Sequence, residues 1–351
     1  MSTTTSALHT VETDPAEFGA WALAKGWGDG LPMVPPTPDR VAAMLDAVGW
    51  AGDEVVAVLP PLRAECTAEK LAINAVMAGA PAASLPLLAT AIRALADPGY
   101  ELHALNATTG SVVEAVCVNG PVRHALGIPY GAGAFGGVEG NAPAIGRAIR
   151  LVMRNIAGQR IGSTSQCVWG NPGRVAGIVF GEWEERSPWA PLAERRGITG
   201  DAVTVFGTMG TMNICDPLAA TADELAVAIG RGLAASGSNG FLHQLPFSEV
   251  MVGINPVWAE IIGREFPDVV DLQAVLREHA KLPIADWPTR YHDAFEHAGR
   301  IEHGFVHLVL DPAKIIVFTG GGMGGLHAAA LHSWGSTKAI TRGIASTNEE
   351  G

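Results

Sequence analysis

Charge is scarce in this chain of 351 residues: Asp, Glu, Lys and Arg make up 17% of it, against 48% hydrophobic residues. Much of the chain must therefore lie inside something. Its length supports one large α/β unit or two units of ordinary size. Positive charge is scarcer still, with five lysines and a formal net charge of −12. A surface of that sign repels phosphate backbones and acidic lipid, which argues against nucleic acid and membranes as partners. Long apolar runs are also missing. The most apolar stretch, Leu85 to Ala96, is interrupted by Pro86 and Arg93 and is far shorter than a bilayer-spanning segment. The opening Met1-Ser-Thr-Thr-Thr-Ser6 lacks the basic and apolar regions of a secretory signal. Cys66, Cys117, Cys167 and Cys215 include no Cys-x-x-Cys pair. That spacing gives no structural zinc site and reads as free thiols in a reducing cytoplasm.

What is present is alternation. Residues 1–52 read as a helical arm interrupted by Gly26-Trp-Gly-Asp-Gly-Leu-Pro-Met-Val-Pro-Pro-Thr-Pro38, whose glycines and prolines forbid regular helix. From residue 53 onward, short β-branched runs bounded by Gly, Pro, Asn or Asp alternate with helical patterns. Strands are expected at Val55–Leu59, Val112–Val118, Val175–Phe180, Ala202–Phe206, Glu249–Ile254, Phe305–Leu310 and Lys314–Phe318. Helices are expected at Glu69–Ala78, Leu87–Ala96, Ala144–Ile156, Ala222–Ala235, Trp258–Arg264 and Leu272–His279. The class is α/β, with mixed or parallel sheets and flanking helices. A helix, Leu-His-x-Leu, a strand and Asn-(Gly)-Pro-Val occur in that order at 91–122 and again at 228–257. This suggests two related halves, 53–200 and 201–351, and places His103 and His243 at matching positions; common turn residues recurring by coincidence are the other reading.

Two glycine runs, Gly131-Ala-Gly-Ala-Phe-Gly136 and Gly320-Gly-Gly-Met-Gly-Gly325, have dinucleotide-loop spacing. The first lacks an acidic residue about 20 positions later, and the second leaves too little chain for a βαβ unit, so neither is a Rossmann loop. Amides of Gly320, Gly321, Gly322 and Gly324, next to a helix expected from Leu326, could instead form an anion-binding concavity or simply a tight turn. On the helix Ala144–Ile156, Arg147, Arg150 and Arg154 form one stripe. It reads as a solvated or intersubunit face, or as an anion site.

Lys70 and Asn74 are four apart on an otherwise apolar helix. A lysine in such surroundings suits proton transfer, unless its stem packs while its head reaches water or Glu69. Cys66, just before that helix, is a candidate thiolate or a small buried hydrophobe. Glu182 and Glu184 follow a strand and would point to one side of it. They could divide acid and base roles, hold a divalent ion, or belong to an exposed loop.

The strings Gly26-Trp-Gly-Asp-Gly-Leu-Pro32, Thr67-x-Glu-Lys70 with Asn74-Ala-Val-Met-Ala-Gly79, Ala144-Ile-Gly-Arg147, Gly170-Asn-Pro-Gly-Arg174, Glu182-x-Glu-Glu-x-x-Pro-Trp189 and Ala202-Val-Thr-Val205 resemble those of an uncharacterised bacterial family. The resemblance spans most of 26–205. It implies neighbours with a selenocysteine- or cysteine-Gly-Ser-Cys motif, similar to the substrate-cleaving selenoproteins of glycine-reductase systems. It thereby implies a two-component system that breaks a carbon–heteroatom bond. Two cysteines that the resemblance leads one to expect are absent here: Ala80 ends the Met-Ala-Gly string, and Gly177 or a neighbour stands in the strand before Glu182. A shared thiol mechanism does not carry over.

Together these readings make a soluble enzyme of lyase or hydrolase type the leading expectation, acting on a small anionic metabolite. Lys70, Glu69, Asn74, Glu182 and Glu184 would surround its pocket and Asp29 would close it. His103, His243, Arg147 and the glycine loop would bind substrate. A non-catalytic subunit that binds substrate or a partner protein, in a homo-oligomer or a two-component system, is the alternative; a Glu182-centred metal enzyme is the third. The sequence does not say which cofactor, if any, takes part.

Overall fold

The computed structural model describes residues 6–11, 14–136, 140–235, 241 and 249–345. The arm is helical, as its pattern requires. Asp14 caps α1 (Pro15–Ala24) and Thr37 caps α2 (Pro38–Asp46), each with proline in the first turn, where a missing N–H costs nothing. A hairpin of β1 (Val55–Leu59) and β2 (Ala64–Thr67) leads into α3 (Ala68–Ala78). That helix is capped by the Thr67 hydroxyl and ended by Gly79, which adopts the left-handed conformation at φ 77°. Next come α4 (Leu85–Leu95), α5 (Leu102–Ala107), β3 (Val113–Asn119), α6 (Val122–Ala125), α7 (Ala142–Val152), α8 (Gly173–Ala176), β4 (Ile178–Gly181), α9 (Leu192–Arg195) and β5 (Ala202–Thr208). The remainder comprises β6 (Met212–Cys215), α10 (Ala222–Ala235), β7 (Val250–Ile254), α11 (Pro256–Glu265), α12 (Val269–His279), a small sheet of β8 (Lys281–Pro283), β9 (Ile301–Glu302) and β10 (Phe305–His307) with α13 (His292–His297) between β8 and β9, then β11 (Ile315–Thr319), β12 (His327–His332) and β13 (Ile340–Gly343).

The protein is of α/β class with mixed sheets. Two four-stranded sheets dominate, in the orders β13-β5-β3-β4 and β11-β7-β12-β6. In each, one edge pair is parallel (β3 with β4, β7 with β11) and the other two pairings are antiparallel. The registers correspond as well. Ala115 faces Ile178 and Phe206 in the first sheet; Met251 faces Ile316 and Leu331 in the second. Each fourth strand arrives from the other sheet, because β5 runs on into β6 and β12 into β13. The first sheet thus takes two strands from 53–200 and two from 201–351.

Side-chain alternation sets the layers. Val116, Val118, Val203 and Val205 face a core shared with α3, α4 and α7. Val250, Val252, Val317 and Ala330 face α10, α11 and α12. The opposite faces, with Ala115, Cys117, Phe180 and Phe206 on one sheet and Met251, Ile316, Phe318 and Leu331 on the other, pack together. The order of layers is helices, sheet, sheet, helices. No helix among the described residues is long and apolar enough to cross a membrane.

Two expectations are corrected here. Leu326 does not open a helix; the chain continues as β12, whose Ala-rich run has little strand propensity of its own and is held by β7 and β6 on either side. Nor is the arginine stripe of α7 a solvated face. The arm lies across it, and Arg150 is buried in an ion pair with Glu114 at 2.5 Å.

Candidate functional site

The arm is held down by its own carbonyls. The Gly26–Pro32 turn cannot form regular hydrogen bonds, so its acceptors are met by side chains of α7 and the turn that follows. Arg154 and Arg160 donate to Gly26 O, Asn155 to Trp27 O at 3.1 Å, and Arg147 to Pro32 O at 3.0 Å. Arg147 also grips Asp29 in a two-pronged ion pair, with N–O distances of 2.7 and 2.8 Å. Burial pushes the Asp29 carboxyl up, but the bonds from Arg147 and the Leu31 amide outweigh it and hold the group below its usual range.

Beneath the arm lies a cavity of about 520 Å³, walled by Phe18, Trp21, Trp27 and Ile73 and bordered by His9, Glu69, Lys70, Asn74 and Asn155. The His9 ring meets both Trp21 and Trp27, with centroids 5.7 and 5.5 Å away. Glu69 is buried and accepts from the Ser6 amide at 3.4 Å. Asn155 donates to Asn74 Oδ1 at 2.8 Å, and Asn74 in turn donates to Lys70 O at 2.8 Å. Lys70 is half-buried; its ammonium reaches outward and donates to Glu65 O at 2.8 Å. Its stem packs while its head stays at the rim. Cys66 is the buried hydrophobe of the two readings: burial pushes its thiol up to about 12, against a partial opposing effect of the Lys70 charge.

Glu182 and Glu184 do not line this cavity. Both are gathered at the exits of β3 and β4, where Glu182 is fully buried and accepts from Asn119 Nδ2 at 2.7 Å and Leu192 N at 2.6 Å. Burial raises the Glu182 carboxyl. Glu184 accepts from Asn119 Nδ2 and from the Gly120 amide at 2.7 Å. Arg123, almost fully buried, pairs with Glu184 and Glu185 at 3.0 and 2.8 Å and donates to the Glu182 carbonyl. A guanidinium therefore already supplies the positive charge a divalent ion would bring. Among the described residues the one His/Cys/Asp/Glu group with ligand-like spacing is Glu278, Glu302 and His307, and there too an arginine, Arg277, is paired with both glutamates.

Gly320, Gly321, Gly322 and Gly324 line a second cavity, of about 410 Å³, facing the other glycine run at 132–136. Both runs singled out in the sequence thus meet at one place, joined by a bond from the Gly321 amide to Tyr130 O at 2.9 Å. His103 is exposed on α5; His243 lies outside the described residues. The sequence-predicted residues therefore separate into three sets: Glu69, Lys70 and Asn74 under the arm latched by Asp29 and Arg147; Glu182 and Glu184 at the end of the first sheet; and the glycine loop at the end of the second. Sequence reasoning missed Trp21, Trp27, His9 and Asn155 as cavity residues. Two of nine tryptophans within seven residues of a glycine-rich turn was the available signal.

A scan against protein-family models finds no match to this chain, and a search of curated protein sequences finds none.

Proposed function

We propose that the chain is an enzyme of small-molecule metabolism whose substrate sits in the cavity beneath the N-terminal arm. One observation carries this reading: a mostly apolar, aromatic-walled hollow bordered by a buried carboxylate, Glu69, and two amides, Asn74 and Asn155, with the Lys70 ammonium at its rim. Pockets of that make-up are the usual place for small ligands, with the apolar wall supplying burial and the few polar groups fixing orientation. Glu69 would take a proton from carbon and Lys70 would give one to the departing heteroatom. The C–H electron pair then becomes the new double bond as the carbon–heteroatom bond breaks. That lyase chemistry accords with the reaction class implied by the resemblance, and acid–base groups of this kind contribute roughly 10²–10⁴-fold to a rate.

The test is a metabolite screen by thermal shift on the full chain, followed by turnover assays of the hits. Ile73→Trp, which fills the cavity, should abolish both the shift and the turnover of every substrate found. Lys70→Met should keep the shifts and lose turnover by the factor above. Turnover that persists in Ile73→Trp, or that is unchanged in Lys70→Met, would remove the site from this place.

A second reading, a subunit that docks on a partner, is favoured by the loop after α7. Val168 and Trp169 there are 70% and 94% exposed, and Ile161 is exposed nearby. If this loop holds a partner or a second copy, Trp169→Glu will shift the native assembly to smaller size on gel filtration without lowering the melting temperature.

A further inference from the structure

The matching registers of the two large sheets allow their ends to be compared position by position. Glu182 donates its amide to Val118 O at 3.1 Å, and Gly320 donates its amide to Ile254 O at 3.0 Å. The two residues therefore hold the same place, each leaving the parallel edge strand on the face turned toward the other sheet. In the first sheet that place is filled by the chain's own carboxylate, Glu182, with Glu184 beside it on Asn119 and the Gly120 amide. In the second it is a glycine.

The rows beneath differ in the same sense. Thr341, Thr204, Cys117 and Phe180 lie side by side across the first sheet; Asn213, Ala329, Gly253 and Phe318 lie side by side across the second. The Phe318 ring lies over Gly253, where a Cβ would meet it at 2.5 Å, and these residues with Ala329 and the glycine loop border the hollow of about 410 Å³ under the loop at 132–136. Its rim carries donors. The amides of Gly322, Gly324 and Gly325 donate to no acceptor among the described residues, and the side chains of Asn213 and His327, on strands paired in register, border the same space.

We propose that this cavity is a second ligand site, taking a small molecule through a carboxylate group. The ligand's carboxylate would occupy in the second sheet what Glu182 occupies in the first. Donors without an acceptor, beside small residues, are the arrangement that anions use on backbone nests; they differ from the donors of Glu182, which sits on Asn119 Nδ2 and Leu192 N, because Asn255, the counterpart of Asn119, already donates to His327 O and caps α11. The site is separate from the arm cavity and does not depend on the function proposed for it.

Isothermal titration of the full chain with succinate, succinamide and inorganic phosphate tests the assignment. Succinate should bind saturably and succinamide should not. Gly324→Asp adds a charge where nothing lies within 4 Å of a new Cβ; it should weaken succinate about tenfold or more, the scale of losing charge-assisted hydrogen bonds, with an unchanged melting temperature. Should that variant fail to fold, Asn213→Ala with His327→Ala is expected to give the same loss. Lys70→Met should bind succinate as the wild type does. Absent succinate binding, binding indifferent to these variants, preference for phosphate over every carboxylate, or loss in Lys70→Met would each overturn the proposal.

Discussion

Replacing Asp29 by Asn keeps the size of the side chain and removes the charge that Arg147 grips. The pair is 13–14% exposed and two-pronged, so it lies between a surface ion pair, worth ~0–1 kcal/mol, and a fully buried one, whose breaking costs ~3–5 kcal/mol. A loss of about 2 kcal/mol follows, confined to the arm because Arg147 touches the core through α7 and the arm through Asp29, Leu31 and Pro32. Expressed as local opening, 2 kcal/mol is roughly 30-fold. Hydrogen exchange read by mass spectrometry should show amides of 15–34, such as Met33 N bonded to Pro15 O, exchanging about that much faster, while amides of β3 and β7 keep their protection. The pH dependence has a definite sign. The folded carboxyl lies below its ordinary 3.8, so its contribution is complete above that value and is lost as the pH falls through the lower folded one. The difference between wild type and Asp29→Asn must shrink in acid. Equal exchange in 15–34 at neutral pH, or a difference that grows on acidification, would refute the latch.

Glu114→Gln leaves the Arg150 guanidinium buried with only neutral acceptors, Gln159 and Arg174 O, and should cost about 3–5 kcal/mol in urea unfolding; a loss below about 1 kcal/mol would show that the pair is not needed. In the native protein at pH 8, iodoacetamide should modify exposed Cys215 and half-buried Cys167 but neither Cys66, with its thiol at about 12, nor fully buried Cys117. Labelling of Cys66 before unfolding would contradict that environment. Gly146→Ala would place a Cβ 1.8 Å from Ala176 O, too close for any rotamer to relieve, so a loss of at least about 1–3 kcal/mol is expected from calorimetry; an unchanged melting temperature would mean that α7 and α8 part easily.

The sequence by itself determined most of the local structure, because short-range chemistry suffices for it. Thr67 and Gly79 bound α3, Asn255 with Pro256 starts α11, and the β-branched runs at 113–119, 178–181 and 315–319 form strands near where their composition puts them. The α/β class and the arm follow from the same signals. Strands β6, β12 and β13 were not legible: Met212–Cys215 and Ile340–Gly343 are only four residues long, His327–His332 is rich in Ala, and a partner edge from elsewhere in the chain makes each a strand. Only the tertiary structure decided which sheet each fourth strand joins, and only it sent the arginine stripe of α7 inward, since the arm that covers it lies more than a hundred residues away in sequence. The site residues divide the same way. Residue type marked Glu69, Lys70, Asp29, Glu182 and the glycine runs as chemically capable, but capability is local and proximity is not. Packing put a charged partner on Asp29 and Glu184, placed Lys70 at the rim of one hollow and the glycine loop at another, and left Glu182 sealed between strands, because each of these depends on contacts that no spacing along the chain encodes.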